Sequence, residues 1–265
     1  MDGDVDSTLL SVLTRRKPLL EALSAVPTRK CDLSSGLDVS RSTIDRGIRE
    51  LEALDLIERD GRTYRSTLAG ELALTEYDRF AGRVTDVVEA RDILSSLPST
   101  APLDPVFLDG ADVLVSQWPD PQTPVRKLEE LISTATHHRA FAPAFLSHLV
   151  ASYRDAIVDG LECEFALTPA VLDELVVHHR EPVSEALSTG RVDLREAPET
   201  LPYTLVVSRD GREPDTESVV ASVLVYIDEG LKGIIYNDDP AAVEWAEQTL
   251  SEIWEDSSPL EFSGG

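Results

Sequence analysis

The chain has 265 residues, 42% of them hydrophobic, which is enough for two domains with cores of their own. It carries 24 Lys and Arg against 49 Asp and Glu, a formal net charge of −25. No run approaches the roughly 18 apolar residues needed to span a bilayer, and the acidic start Met1 to Asp6 lacks the basic and apolar segments of a secretory signal, so a cytoplasmic protein without membrane contact is expected.

The spacing of Leu9, Leu10, Leu13, Leu20 and Leu23 predicts a helix over Ser7 to Ala25, kinked or divided at Pro18. A short second helix is expected over Arg29 to Ser35, ending at Gly36. After the tight connection Leu37-Asp38-Val39, Ser40 can cap a third helix running to about Leu54. Leu56 to Arg59 and Arg62 to Arg65 then read as a β-hairpin around an Asp60-Gly61 turn. A long helical stretch follows from Thr67 to about Leu97, with Leu68, Leu72, Phe80, Val84, Val87 and Val88 among its apolar positions. Pro98, Pro102 and Pro105 mark its end.

Beyond that point strands alternate with helices. Extended segments are expected at Val106–Leu108, Asp112–Ser116, Arg139–Ala142, Cys163–Leu167, Val192–Arg195, Tyr203–Val207, Val219–Ile227 and Lys232–Tyr236. Helices are expected over Pro124–Ala135 and Phe145–Val158, from Pro169, on both sides of Pro182, and from Asp239-Pro240 through Trp254. The alternation followed by a late meander indicates an α/β domain with a mixed sheet. The fold class is thus α+β or α/β: a winged helix-turn-helix, a connecting helical stretch, and an α/β domain. The expected boundaries are 1–66, 67–99 and 100–265.

The strongest local signal lies in the third helix. Ile44, Ile48 and Leu51 form a core stripe at i, i+4 and i+7, and Ser42, Asp45, Arg46 and Arg49 occupy the opposite face. That face has nothing apolar to bury. Arginine suits bidentate contact with guanine edges or phosphate, and the first turns of such a helix are what reach bases in the major groove. Arg59, Arg62 and Arg65 add three positive charges on or beside the hairpin, where a wing meets the backbone or the minor groove. Ser40, Arg41, Ser42, Thr43, Asp45, Arg46, Arg49, Arg59, Arg62 and Arg65 are the candidate contacts to double-stranded DNA.

Charge distribution removes the main objection to an acidic DNA binder. Residues 1–65 hold 11 basic and 12 acidic residues, whereas 66–265 hold 13 and 37. The net acidity sits almost wholly outside the expected reading head. Only four of the basic residues are Lys, and an acidic, Arg-rich, Lys-poor surface suits a salt-loving archaeon, where salt screens self-repulsion.

The run from Val39-Ser40-Arg41-Ser42-Thr43-Ile44-Asp45-Arg46 to Leu51-Glu52-Ala53-Leu54-Asp55-Leu56-Ile57-Glu58-Arg59 resembles winged helix-turn-helix domains of archaeal regulators of the ArsR/MarR/TrmB type. The resemblance covers about residues 8–75. It implies a sequence-specific transcription regulator, with the following helical stretch as the homodimer-forming element. A second resemblance covers about residues 100–256. Leu108-Asp109-Gly110-Ala111-Asp112-Val113, Ala186-Leu187-Ser188-Thr189-Gly190-Arg191-Val192 and Asn237-Asp238-Asp239-Pro240-Ala241-Ala242-Val243-Glu244-Trp245-Ala246 are similar to the middle domain named for the methanogenesis regulator FilR. That likeness implies a sensor or effector module. The chain departs from the family at Leu201-Pro202-Tyr203-Thr204, where the pattern has a second Pro and a Gly.

No enzyme is expected. The five histidines, His137, His138, His148, His178 and His179, include two His-His-Arg triplets. Neither completes the His-x-Lys-x4-Asp pattern of the phospholipase-D-like effector domains found in related archaeal sugar-sensing regulators. There is no Gly-x-Ser-x-Gly elbow and no phosphate-cradling loop. Cys31 and Cys163 fall in different domains and form no metal-type pair, so neither a metal site nor a cofactor is expected. Asn237-Asp238-Asp239 reads as a turn and an acidic cap rather than a metal loop. Tyr203, Tyr226 and Tyr236 lie on or beside expected strands and are the candidate lining for a small-molecule effector, against the alternative of sheet packing. A competing function is a protein-interaction adaptor whose winged helix docks on transcription machinery.

Overall fold

The computed structural model describes residues 7–211, 218–227 and 230–260; the acidic start Met1 to Asp6 lies outside them. The chain divides into two compact units, Met1–Gly82 and Arg83–Gly265. The division falls inside the expected connecting stretch rather than setting that stretch apart.

The first unit comprises α1 (Ser7–Ala25), α2 (Lys30–Gly36), α3 (Arg41–Glu52), the hairpin β1 (Ile57–Asp60) and β2 (Thr63–Ser66), and the start of α4 (Leu68–Glu89). Helix α1 is one element despite Pro18 in its interior. Its core is a single cluster in which Leu20, Leu23, Ile44, Ile48 and Leu51 are almost wholly removed from water. Burial of each such side chain is worth about 1.5–3 kcal/mol, which outweighs the local cost of a helix proline. Gly47 sits where α1 and α3 approach: a Cβ there would stand 2.6 Å from Leu19 Cδ2, so only a bare backbone fits undisturbed.

The hairpin differs from expectation by one residue. Asp60 pairs with Thr63, which leaves Gly61 and Arg62 as the two-residue loop. Gly61 has φ +60, the left-handed conformation that a tight hairpin requires at its first central position. Arg62 therefore stands at the tip of the hairpin and not in its second strand.

Helix α4 stops at Glu89, short of the expected Leu97, and a single turn α5 (Arg91–Leu94) follows. Ala90 and Ile93 are fully buried in the core of the second unit, so packing ends the long helix there. Val106–Leu108 is a 3-10 turn, Pro105–Leu108, rather than a strand. Asp104 accepts a hydrogen bond from Val106 N and Pro105 presets the first helical position, a local start signal stronger than the β-branched propensity of one valine.

The second unit is built on an eight-stranded mixed sheet. Its strands are β3 (Asp112–Val115), β4 (His137–Ala142), β5 (Glu162–Leu167), β6 (Val192–Glu196), β7 (Thr204–Asp210), β8 (Ser218–Ile227), β9 (Gly230–Asn237) and β10 (Ser258–Pro259), in the order β10-β6-β5-β4-β7-β8-β9-β3. Strands β4, β5 and β6 run parallel, and every other pairing is antiparallel. Helices α6 (Thr123–Thr134), α7 (Leu149–Val158), α8 (Pro169–His178), α9 (Arg180–Ser188) and α10 (Pro240–Glu255) complete it. Pro182 does not separate two helices, because it lies in the first turn of α9, where its missing N–H has no intrahelical role. Helix α7 begins at Leu149 rather than Phe145. The two-residue β10 carries too little sequence for a period to register.

Alternation along β7 shows why both faces of the sheet are covered. Leu205 and Val207 enter one core with Tyr203, while Val206 enters the other. The first core is roofed by α10 through Ala242, Ala246, Leu250 and Ile253. The second is roofed by α6 and α7 through Leu128, Leu131, Ile132 and Ile157. Asp239 caps α10 by accepting from Ala241 N at 2.8 Å, and Asn237 donates to the carbonyls of Phe107 and Asp109 at 3.0 Å each. The Asn237-Asp238-Asp239 run is thus a turn and a helix cap. Among the described residues no group of His, Cys, Asp and Glu could hold a metal ion, and no helix is long and apolar enough to cross a membrane.

Candidate nucleic-acid interface

Helix α3 begins at a built cap. Ser40 is extended at φ −64, ψ 151, and its Oγ accepts from Thr43 N at 3.1 Å. The Ser42 and Thr43 hydroxyls each lie 2.8 Å from the same Ser40 oxygen, so three hydroxyls gather at the helix start. Asp38, at φ +50, makes the sharp turn between α2 and α3, a left-handed conformation that Asp tolerates. Ser34 Oγ donates to Val39 O at 2.8 Å and ties that turn to α2.

Burial of Ile44, Gly47, Ile48 and Leu51 fixes which side of α3 faces outward. Ser40, Arg41, Ser42, Thr43, Asp45, Arg46 and Arg49 are all exposed. Arg59, Arg62 and Arg65 are exposed on the hairpin. The hairpin is fastened to the rest of the unit by a bridge between Tyr64 and Thr28, with N–H to carbonyl distances of 3.0 and 2.9 Å in the two directions. Tyr64 itself is buried, so its strand cannot slip without exposing the ring.

Most of the positive groups carry an intramolecular partner. Arg46 Nε donates to Glu50 Oε1 at 2.9 Å, and Arg16 Nε donates to Glu50 Oε2 at 2.8 Å. These guanidinium groups, Arg16 before Arg46, hold the Glu50 carboxyl down at about 2. Arg65 pairs with Glu58 at 2.6 Å. Arg49 Nε donates to the Asp45 carbonyl at 3.1 Å, and Arg59 Nε to the Gly61 carbonyl at 3.0 Å. Asp45 accepts from Lys30 at 2.9 Å, and that contact lowers the carboxyl and raises the lysine. Arg41 and Arg62 have no ion pair among the described residues. One sits at the start of α3 and the other at the hairpin tip.

Sequence reasoning missed Lys30, Arg16 and Glu50 as parts of this surface. The signal for Glu50 was its i, i+4 position after Arg46. Arg16 and Lys30 reach the surface only through tertiary packing, Lys30 with its ammonium 5.3 Å from the centroid of the Tyr64 ring.

The three tyrosines singled out as an effector lining do not converge. Tyr203 is fully buried in the core under α10 and donates to the Pro102 carbonyl at 2.6 Å. Tyr226 and Tyr236 pack against the opposite core. Tyr236 lies beneath the Lys127 ammonium, 4.8 Å from its centroid. Tyr226 alone of the three lines an apolar cavity between the sheet and helices α7 to α9. A period-2 strand explains the outcome: residues on different strands share a pocket only if register sends them to one face, and register was not visible in the sequence.

Residues 121–256, just over half of the chain, match the model of the family described as methanogenesis regulatory protein FilR1, middle domain. Residues 4–89 match the model of the HVO_A0261 N-terminal domain. No curated protein sequence matches the chain. Among solved structures, TrmBL2, described as an archaeal chromatin protein, is 14% identical and covers 96% of this chain and 100% of its own, with a TM-score of 0.43. NucT from Helicobacter pylori is 10% identical over 57% of this chain and 98% of its own, with a TM-score of 0.41. An O-methyltransferase family protein from Burkholderia thailandensis is 14% identical over 74% of this chain and 62% of its own, with a TM-score of 0.26. None of these structural likenesses assigns a role to a residue of this chain.

Proposed function

Because the chain belongs to the family of the methanogenesis regulatory protein FilR1 middle domain, we propose that it is a DNA-binding transcription regulator whose binding answers to a ligand or partner of its α/β unit. The observation that carries the first half is the capped helix α3. Its inner face is fully committed to the core, and its outer face offers Ser42, Asp45, Arg46 and Arg49 beside an arginine-bearing hairpin. Such a helix enters a major groove, with the hairpin on the phosphates. Glu50 and Glu58 act as placeholders: they hold Arg46 and Arg65 until phosphate or a base edge displaces them.

Dimer formation is part of this reading. Helix α4 leaves Leu72, Phe80, Val84 and Val87 exposed, and at about 100° per residue these four fall within about a third of the helix circumference. Large apolar side chains left in water in such a row suit a second copy of the same helix, and two copies would read two half-sites. The acidic, Lys-poor composition fits a salt-rich interior, where screening permits a net charge of −25.

The test is to map genome-wide binding of the tagged protein by immunoprecipitation, then measure the enriched sequence with purified protein. Discrete sites bound tightly by wild type and weakly by Arg46→Ala would support the reading. Absence of enriched sites, with co-purification of transcription machinery instead, would favour an adaptor.

A further inference from the structure

A cavity of about 140 Å³ lies in the second unit between the sheet and helices α7, α8 and α9. Its floor is made by side chains of β4 to β8, among them Ala140, Val206 and Leu224. Its roof includes Leu149, Leu175 and Ala186. The cavity is partly open to solvent, so a ligand has a way in, and its lining is almost wholly apolar, as small-molecule sites usually are. Small side chains are part of the lining on both sides, Ala140 on β4 and Ala186 on α9. One leucine at either position would fill much of the cavity.

The polar groups on the wall are few and, apart from Arg154, neutral. Thr204 donates to the Ala144 carbonyl at 3.2 Å and keeps its lone pairs. Burial pushes the Tyr226 phenol up to about 12, against the smaller opposing effect of a hydrogen bond with Thr204, so both hydroxyls are uncharged at neutral pH. Tyr153 is held protonated by burial as well. Arg154 is neutralised by Asp155 at 2.9 Å and Glu185 at 3.1 Å. Water in an apolar chamber needs two to four polar partners, which this wall does not supply through most of its area. A charged ligand would lose its hydration with no unpaired opposite charge to meet it.

We propose that this cavity binds a compact, uncharged, mostly apolar molecule, one aromatic ring in size, with at most one hydroxyl directed to Thr204 and Tyr226. The proposal deepens the ligand-responsive reading above, yet it concerns binding alone and stands or falls without DNA.

The experiment uses the full chain with methyl-labelled Leu and Val, titrated with p-cresol, toluene and 4-hydroxybenzoate as probes. The expected result is saturable binding of p-cresol and toluene, with intermolecular nuclear Overhauser effects to the methyls of Val206 and Leu224. Toluene should bind more weakly than p-cresol, and the anionic 4-hydroxybenzoate should bind at least tenfold more weakly than p-cresol. Ala140→Leu, or Ala186→Leu should the first not fold, should weaken p-cresol at least tenfold and leave thermal unfolding unchanged or higher. No Overhauser effect from either neutral probe to Val206 and Leu224 overturns the proposal, as does equal binding of the anion. If the probes bind but do not alter operator affinity, the site stands and the regulatory reading loses its ligand. If they fail while operator binding holds, the DNA-binding reading is untouched.

Discussion

Glu50 accepts a hydrogen bond from Arg46 one turn earlier on α3, at 2.9 Å. Its second oxygen accepts from Arg16 on α1 at 2.8 Å. One carboxylate therefore joins the inner packing of two helices to the outer face of one. Its folded value of about 2 lies below the usual carboxylate range. The stabilisation is thus complete above about pH 4.5 and is lost as pH falls toward 2. Glu50→Gln should cost about 1 kcal/mol at pH 7, the scale of a partly exposed pair, and should flatten that acid limb. Urea unfolding at pH 3 and pH 6 checks both; an unchanged pH 3 to pH 6 difference in the variant would remove Glu50 from the account.

The same pair bears on DNA. Arg46→Ala and Arg49→Ala should each weaken specific binding by about 1–3 kcal/mol if their guanidinium groups reach base edges. Arg62→Ala and Arg65→Ala should weaken binding to all sequences and make it less dependent on salt. Fluorescence anisotropy on specific and scrambled duplexes, at several salt concentrations, separates the two classes. Unchanged binding in all four folded variants sinks the groove assignment.

Loss of the Ser40 cap should act on stability before it acts on recognition. Ser40→Ala removes the acceptor for Thr43 N and the oxygen around which the Ser42 and Thr43 hydroxyls gather. A loss of about 1 kcal/mol is expected, while Ser40→Asp, which also accepts at a helix start, should keep most of the wild-type value. Denaturant midpoints for the two variants decide it. Equal loss in both would place the effect elsewhere than in capping.

How far the sequence disclosed this structure depends on how local each signal was. The Ser40 cap, the Ile44-Ile48-Leu51 stripe and the Asp239-Pro240 helix start are written within a few residues, and each was legible. The hairpin was legible but its turn was not, because Asp60-Gly61 and Gly61-Arg62 both provide a glycine and only the Asp60–Thr63 pairing chooses between them. Tyr203, Tyr226 and Tyr236 failed as a group for a long-range reason: their strands were visible, the register and faces were not. The cavity had no sequence signal at all, since an alanine on a strand and another on a helix look like ordinary packing until the fold brings both to one lining.

Phe80 and Val84 test assembly. Both are exposed on α4, at 57% and 47%. Phe80→Asp and Val84→Asp together should convert a dimer to a monomer, with little change in the stability of each chain, since neither side chain belongs to a core. Sizing with light scattering in high salt is the measurement. A monomeric wild type at tens of micromolar protein would end the proposal that α4 pairs.

His138 supplies the last prediction. It is fully buried on β4, with its ring 5.8 Å from that of Tyr153. Burial lowers its value from 6.5 to about 4, so the folded protein holds it neutral where the unfolded chain would protonate it. The unfolded state therefore binds more protons between these values, and stability must fall as pH drops through that window. The full penalty is about 3 kcal/mol, converting the shift at 1.36 kcal/mol per unit. His138→Phe should abolish this slope. It should also stay close to the wild-type stability at pH 7, because an apolar aromatic ring takes the buried place of a neutral one. Urea unfolding of the variant and wild type from pH 7.5 to pH 4 reads the slope directly. A wild-type slope that survives in a folded His138→Phe protein would show that another group governs acid sensitivity there.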